Sequence, residues 1–184
     1  MDLMPLDELN RLEASLPVYF ENGRIKSRKD LDEILDMLEA LFLLAYANGA
    51  EAVNLSLSSD IAPVLDDVMK TVDAKIGGKT WRERVEEYYR NGGDAADIVR
   101  IAETECHRDA NAAAYDTAVK AGAKEKTWRT MRDDKVRDSH YWLDGVTVPI
   151  DAEFYNDMGD KTMYPGQWGV PEEDVNCRCW VTFR

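Results

Sequence analysis

Between Asp94 and Gly122 the chain carries its longest helical pattern. Ile98, Ile101, Ala102, Glu105, Cys106, Asp109 and Ala113 recur along one side, and Ala110, Ala112, Ala114 and Ala118 keep much of the surface small. Residues three and four apart share a face of a helix, and small side chains let other backbones come close. Neighbours such as Thr104-Glu105 and Cys106-His107 point about 100° apart, so they do not readily share a ligand. Cys106 therefore reads as a buried core thiol, and His107 as an exposed or capping residue.

Shorter helical patterns precede it. An amphipathic stretch to about Leu16 ends at Pro17, and Asn22-Gly23 marks a turn or small hairpin between Val18 and Ile25. Ser27 offers an N-cap to a helix lined by Leu31, Ile34, Leu35, Leu38, Leu41, Phe42 and Ala45, which Asn48-Gly49 is expected to end in a left-handed turn. Asp60 is expected to cap a helix running through Val64, Val68, Val72 and Ile76 to Gly77-Gly78. Thr80-Trp81-Arg82-Glu83 fits a capping box, in which hydroxyl and carboxylate satisfy free amide donors at a helix start; that helix should reach Asn91-Gly92-Gly93. Gly-bounded helices of this kind pack as antiparallel hairpins.

The net charge of −13 disfavours nucleic acid, whose affinity comes mainly from Lys and Arg displacing counterions. One local exception runs from Lys124 to Arg137, where Lys126, Arg129, Arg132 and Lys135 outnumber Glu125, Asp133 and Asp134; it reads as a solvated face sooner than a phosphate site. Acidic residues near the N-terminus replace the basic ones of a targeting signal, and no apolar run approaches the roughly 20 residues of a membrane span. A cytosolic protein without a membrane partner is expected. Three cysteines do not make a disulfide framework, which leaves core thiols or metal ligands. Phosphate-loop, dinucleotide, zincin, EF-hand and nucleophile-elbow patterns are absent from the sequence.

After Gly122 the character changes. Lys126 to Met131 is a candidate strand. Asp133 or Asp134 is then expected to cap a helix on which Val136, His140 and Leu143 or Asp144 share a face. Asp144-Gly145 signals a turn before the strand Val146-Thr147-Val148. Residues 151–174 read as an aromatic loop pinned over a core, and Cys177 to Phe183 as a terminal strand. The fold class is α+β: a helical N-terminal region over residues 1–93, then a small mixed α/β module over residues 94–184.

Several separated blocks, in order, carry a resemblance. Lys126-Thr127-Trp128, Asp133-Asp134-Lys135-Val136-Arg137-Asp138-Ser139-His140, Leu143-Asp144-Gly145, Phe154, Pro171 and Asn176-Cys177-Arg178-Cys179 together resemble the phage Mu F-like, or SPP1 gp7-like, minor head protein family. Ile101 to Glu105 and Asn111-Ala112-Ala113 resemble the long helix before its motif, so about residues 95–184 are covered. The resemblance implies a non-enzymatic phage or prophage head-morphogenesis protein, present in few copies near the portal. It would be made in the host bacterial cytoplasm and end in the phage head, with portal, scaffold or capsid proteins as partners; the charge disfavours contact with packaged DNA. It marks Trp128, Asp133, Val136, Arg137, Gly145, Asn176 and Arg178 as motif residues.

What the motif does is open on the residues alone. Alternate residues of a strand face one way, so Cys177 and Cys179 would present both sulfurs together. With Asp144 a helical turn beyond His140, the four residues His140, Asp144, Cys177 and Cys179 would supply the tetrahedral set that zinc prefers, in a closed structural site. Alternatively, His140 is hydrogen-bonded to the terminal strand and both thiols lie in the core. A third reading gives His140 acid–base work on a phosphodiester, with Arg137 and Asp133 or Asp134 assisting. Arg137 and Arg178 are expected to clamp carboxylates of the protein itself.

Overall fold

The computed structural model describes residues 4–184; the start of the expected first helix before Met4 lies outside them. Helix α1 (Leu6–Ser15) runs into a 3-10 turn (Leu16–Tyr19) and a small hairpin of β1 (Phe20–Glu21) and β2 (Arg24–Ile25). Asn22 and Gly23 both take positive φ there, 51° and 72°, as a two-residue hairpin turn of matching twist requires. The Ser27 side chain then accepts from Asp30 N and starts α2 (Arg28–Leu57).

Helix α2 does not stop at Asn48-Gly49. It continues to Leu57 and ends on Ser58 at φ 53°, because Gly49 serves a packing purpose. A Cβ at Gly49 would lie far inside van der Waals contact distance of the Ala110 carbonyl oxygen, on α5 (Ala95–Lys120). The small residues of α5 thus meet a glycine of α2 and the two backbones come into contact. Gly49→Ala is expected to cost about 1–3 kcal/mol through forced separation of the helices, read as a lower urea midpoint; an unchanged midpoint would refute the close crossing. By length and mean hydropathy α2 would also suffice to cross a membrane, contrary to the expectation of no such stretch. Its apolar residues, Leu31, Ile34, Leu38 and Phe42 among them, are buried in the protein core instead.

Before α3 (Leu65–Val72) the chain departs again from the expected pattern. Asp60 is not its cap; Val64 is. Asn54 accounts for the difference: its amide donates to Ile61 O at 2.9 Å and accepts from Ile61 N at 3.0 Å and Ser59 Oγ at 2.8 Å, which ties residues 59–61 to α2 in a non-helical path. α4 (Trp81–Asn91) and α5 start on complete capping boxes at Thr80–Glu83 and Asp94–Asp97. Phe42 and Trp81, ring centroids 5.1 Å apart at 78°, sit in the core that α1 to α5 enclose, to which α3 contributes Val68 and Val72.

The tail forms a three-stranded antiparallel sheet of order β4-β3-β7, from β3 (Glu125–Arg129), β4 (Thr147–Pro149) and β7 (Trp180–Phe183). A second core lies on it, made by Trp128, Leu143, Phe154, Trp168, Cys177, Cys179 and Val181. Between the helices and the sheet, Val53, Ala114, Ala118 and Ala123 pack together with Phe183 against them. The aromatic loop folds into β5 (Phe154–Tyr155), β6 (Lys161–Thr162) and the one-turn helix α7 (Pro171–Asp174). The protein is α+β.

Candidate functional site

His140 lies on α6 (Asp138–Tyr141), a single turn begun by Arg137, not on the longer helix expected from Asp133 or Asp134. Arg137 sets its place by donating to the Val175 carbonyl, so the expected clamp falls on backbone and not on a carboxylate. Arg178 behaves as expected, with a two-pronged pair to Asp133 at 2.8 and 2.6 Å. That pairing pushes the Arg178 pKa up and holds the Asp133 carboxyl below its ordinary value.

The His140 ring is 1% exposed. It stacks on Trp168, centroids 5.6 Å apart at 15°, and meets the edge of Trp128 at 5.5 Å. Its Nδ1 stands 3.6 Å from Cys177 Sγ and 3.6 Å from Cys179 Sγ. Its Nε2 lies 2.8 Å from Glu173 Oε2, although the N–H direction is poorly aligned for a hydrogen bond. The separation decides the tautomer. A bare nitrogen lone pair so close to a carboxylate oxygen would be repelled, so Nε2 carries hydrogen, and Nδ1 is the nitrogen turned to the sulfurs. Glu173 is itself held by Ser139 Oγ at 2.9 Å and Asn156 Nδ2 at 3.4 Å.

Cys177 and Cys179 precede β7 and are not part of it, yet their sulfurs still converge. Asn176, at φ 58°, turns the chain, Cys177 N donates to Asp174 O at 3.2 Å, and the Cys179 carbonyl accepts from Asn111 Nδ2 at 3.1 Å. A hydrogen bond to Cys179, followed by burial, pushes the Cys177 thiol up to about 11. The same bond holds Cys179 below its ordinary value, so the two thiols are unequal.

Asp144 does not join them. Gly145, at φ 83°, returns the chain towards β3, and the Asp144 carboxylate accepts from Thr130 N at 2.9 Å and Arg132 Nε at 2.8 Å. The i+4 relation to His140 fails because α6 ends at Tyr141. Among the described residues, His140, Cys177 and Cys179 form the one group of three whose potential ligand atoms all lie within 4.8 Å of one another.

With this geometry in hand, comparison with known proteins identifies the family: that described as Phage Mu protein F like protein matches residues 62–182. The chain belongs to it. The Mu F-like match takes in α3 and α4 as well as the tail. One relative is the NAD(+)--arginine ADP-ribosyltransferase EFV of Enterococcus faecalis (strain ATCC 700802 / V583), 38% identical over 85 residues, which are 44% of this chain and 17% of that protein. Another is the Minor head protein GP7 of Bacillus phage SPP1, 33% identical over 85 residues, 45% of this chain and 28% of that protein. The matched segment is thus under a third of either relative. No solved structure matches the chain.

Several residues of this Mu F-like site escape a reading of the sequence. His107 is half-buried, with Nε2 against the Cys179 carbonyl; it neither lies free nor caps a helix. Its partner Asn111 is four residues on, a spacing that places both on one face and could have marked them. Glu173 gave no such signal, sitting between acidic neighbours Glu172 and Asp174. Lys126, in the basic run read as solvated, is fully buried with Nζ 4.7 Å from the Tyr115 ring and 5.3 Å from Phe154; burial pulls its pKa down to about 8. Val136 is half-buried.

Proposed function

We propose that the chain is a phage or prophage minor head protein that acts in head morphogenesis at the portal region. The observation that carries this reading is the family match, which spans the whole motif from Trp128 to Cys179; the printed name of the SPP1 relative agrees with it. In this reading residues 94–184 are the head-morphogenesis module, and the helical region 1–93 meets portal, scaffold or capsid subunits. The protein would work in the host cytoplasm during assembly and remain in the virion.

His140 is poorly placed for acid–base catalysis. The ring is sealed between Trp128 and Trp168, Glu173 occupies one nitrogen, and Arg137 is committed to Val175 O. A phosphodiester cannot reach a group so enclosed without the tail opening. As to the transferase relative, the shared segment is 17% of that protein, and its activity is not carried over on so small a part.

The test is co-assembly. Expressed with the neighbouring head genes, the chain is expected to sediment with procapsids and to crosslink to portal. Equal incorporation into heads assembled without portal would overturn the portal placement, and failure to sediment with any head particle would overturn the head-protein reading.

A further inference from the structure

We propose that Cys177, Cys179 and His140 bind one zinc-class divalent cation, with its fourth position open to the cleft between α1 and the tail. The distances carry the argument. In a tetrahedral site with Zn–S near 2.3 Å and Zn–N near 2.0–2.1 Å, the edge from nitrogen to sulfur is about 3.6 Å. His140 Nδ1 lies 3.6 Å from each of the two sulfurs.

The equality matters as much as the length. A neutral Nδ1 has one lone pair and can accept one S–H. Hydrogen bonding would hold one sulfur to Nδ1 and the other only through the bond between the two thiols, each at a distance of its own. A central atom shared by all three donors places both sulfurs alike. The Nε2 side has what a ligating histidine needs, since Glu173 faces it at 2.8 Å and is braced by Ser139 and Asn156. A carboxylate behind the imidazole fixes the tautomer and raises the basicity of the ligating nitrogen.

Donor chemistry selects the ion. Two thiolates and an imidazole suit zinc and related borderline-soft metals, whereas magnesium and calcium want oxygen. The fourth position follows from the surroundings. Of the three ligands Cys177 lines a cleft of about 950 Å³ that also takes in His107 and reaches Leu6 and Leu9 of α1, and a solvent molecule entering on the Cys177 side would complete the coordination. Asp144, turned to Arg132 and Thr130, is not a ligand. Bound metal would tie α6 to the segment entering β7 and so hold the tail closed. The inference rests on these side chains and stands apart from the head-protein reading.

The experiment uses the full chain purified without a metal-affinity tag, equilibrated with zinc, freed of excess ion and assayed by elemental analysis, then exchanged to cobalt(II) for absorption spectra. One zinc per chain is expected, with intense tetrahedral visible bands and a thiolate-to-cobalt band in the near ultraviolet. Cys177→Ser with Cys179→Ser should lose the metal, whereas Cys106→Ser and His107→Ala should keep it. Glu173→Gln should weaken binding about 10–100-fold. Folded wild-type protein that retains no zinc, or a cobalt spectrum without the thiolate band, would overturn the site. So would full zinc content in the double cysteine variant. Loss of metal in His107→Ala would overturn the open fourth position. Should the cysteine variants fail to fold, the wild-type cobalt spectrum decides.

Discussion

Arg108→Ala is expected to destabilise the protein by about 3–5 kcal/mol, the range for breaking a buried ion pair by removing one partner. Arg108 is 4% exposed, and the Glu105 and Asp109 side chains it pairs with are 0% exposed. It also donates to the carbonyls of Thr71, Val72 and Ala74 at 2.9–3.0 Å, which joins α5 to the end of α3 and the turn beyond. Glu105 has a second cation in Arg84, but Asp109 would be left facing Glu105 with no counter-charge. The alanine variant therefore strands buried carboxylate and carbonyl oxygens at once, and each such group costs more than the bond it loses.

A pH dependence follows from the same cluster. Burial pushes the Asp109 carboxyl up from its ordinary 3.8 to about 7, against the pull of Arg108. A carboxyl whose pKa is raised on folding lends stability that is complete below its unfolded pKa and is lost as pH rises through the folded one. Without Arg108 the carboxyl should rise further, so the penalty of Arg108→Ala should be larger near pH 8 than near pH 5. Urea midpoints at the two pH values check this, with Asp109→Asn added to Arg108→Ala expected to restore part of the loss. An equal penalty at both pH values would show that Asp109 is not the stranded charge.

What could be seen in advance depended on whether the deciding contact was near in sequence. Thr80 with Glu83 and Ser27 with Asp30 are closed within one helical turn, so their helix starts were legible. Gly49 looks like a helix end in the sequence because its reason lies on Ala110, on another helix. The helix expected from Asp133 shrank to one turn because Arg137 is drawn to Val175 and Asp144 to Arg132, contacts no local periodicity contains. His140, Cys177 and Cys179 stood out because reactive residue types are scarce in this chain. Glu173 and His107 did not, since a carboxylate among acidic neighbours and a histidine on a helix look ordinary until the tail folds over them. Glu105 and Asp109 fall in the sequence on the same side as Ile98, Ile101 and Cys106, but Arg108 carries no such mark, because its partners at Thr71, Val72 and Ala74 lie more than thirty residues away.

Trp128→Ala is the change expected to open the tail, at a cost of about 3–5 kcal/mol for an aromatic side chain removed from a packed core. Trp128 is fully buried on the central strand β3. Its ring centroid lies 5.2 Å from Phe154, 5.5 Å from His140 and 5.8 Å from Trp168, so it joins three rings of the tail's core. Backbone bonds from Trp128 N to Val146 O and from Gly145 N to Trp128 O, both 2.9 Å, would survive, and the strand pairing need not be lost. The core of α1 to α5 shares no buried residue with the Trp128 cluster, so the damage should stay in the tail. In native conditions the far-ultraviolet helical signal should persist, while Cys177 and Cys179 become accessible to a thiol reagent and Cys106, within the helical core, stays protected. Trp128→Phe, which keeps an aromatic ring in the strand, should cost less and label more slowly. If Cys106 reacts as fast as the other two, the tail and helical core unfold as one unit; if none reacts faster than in wild type, Trp128 is not what holds His140 against the two sulfurs.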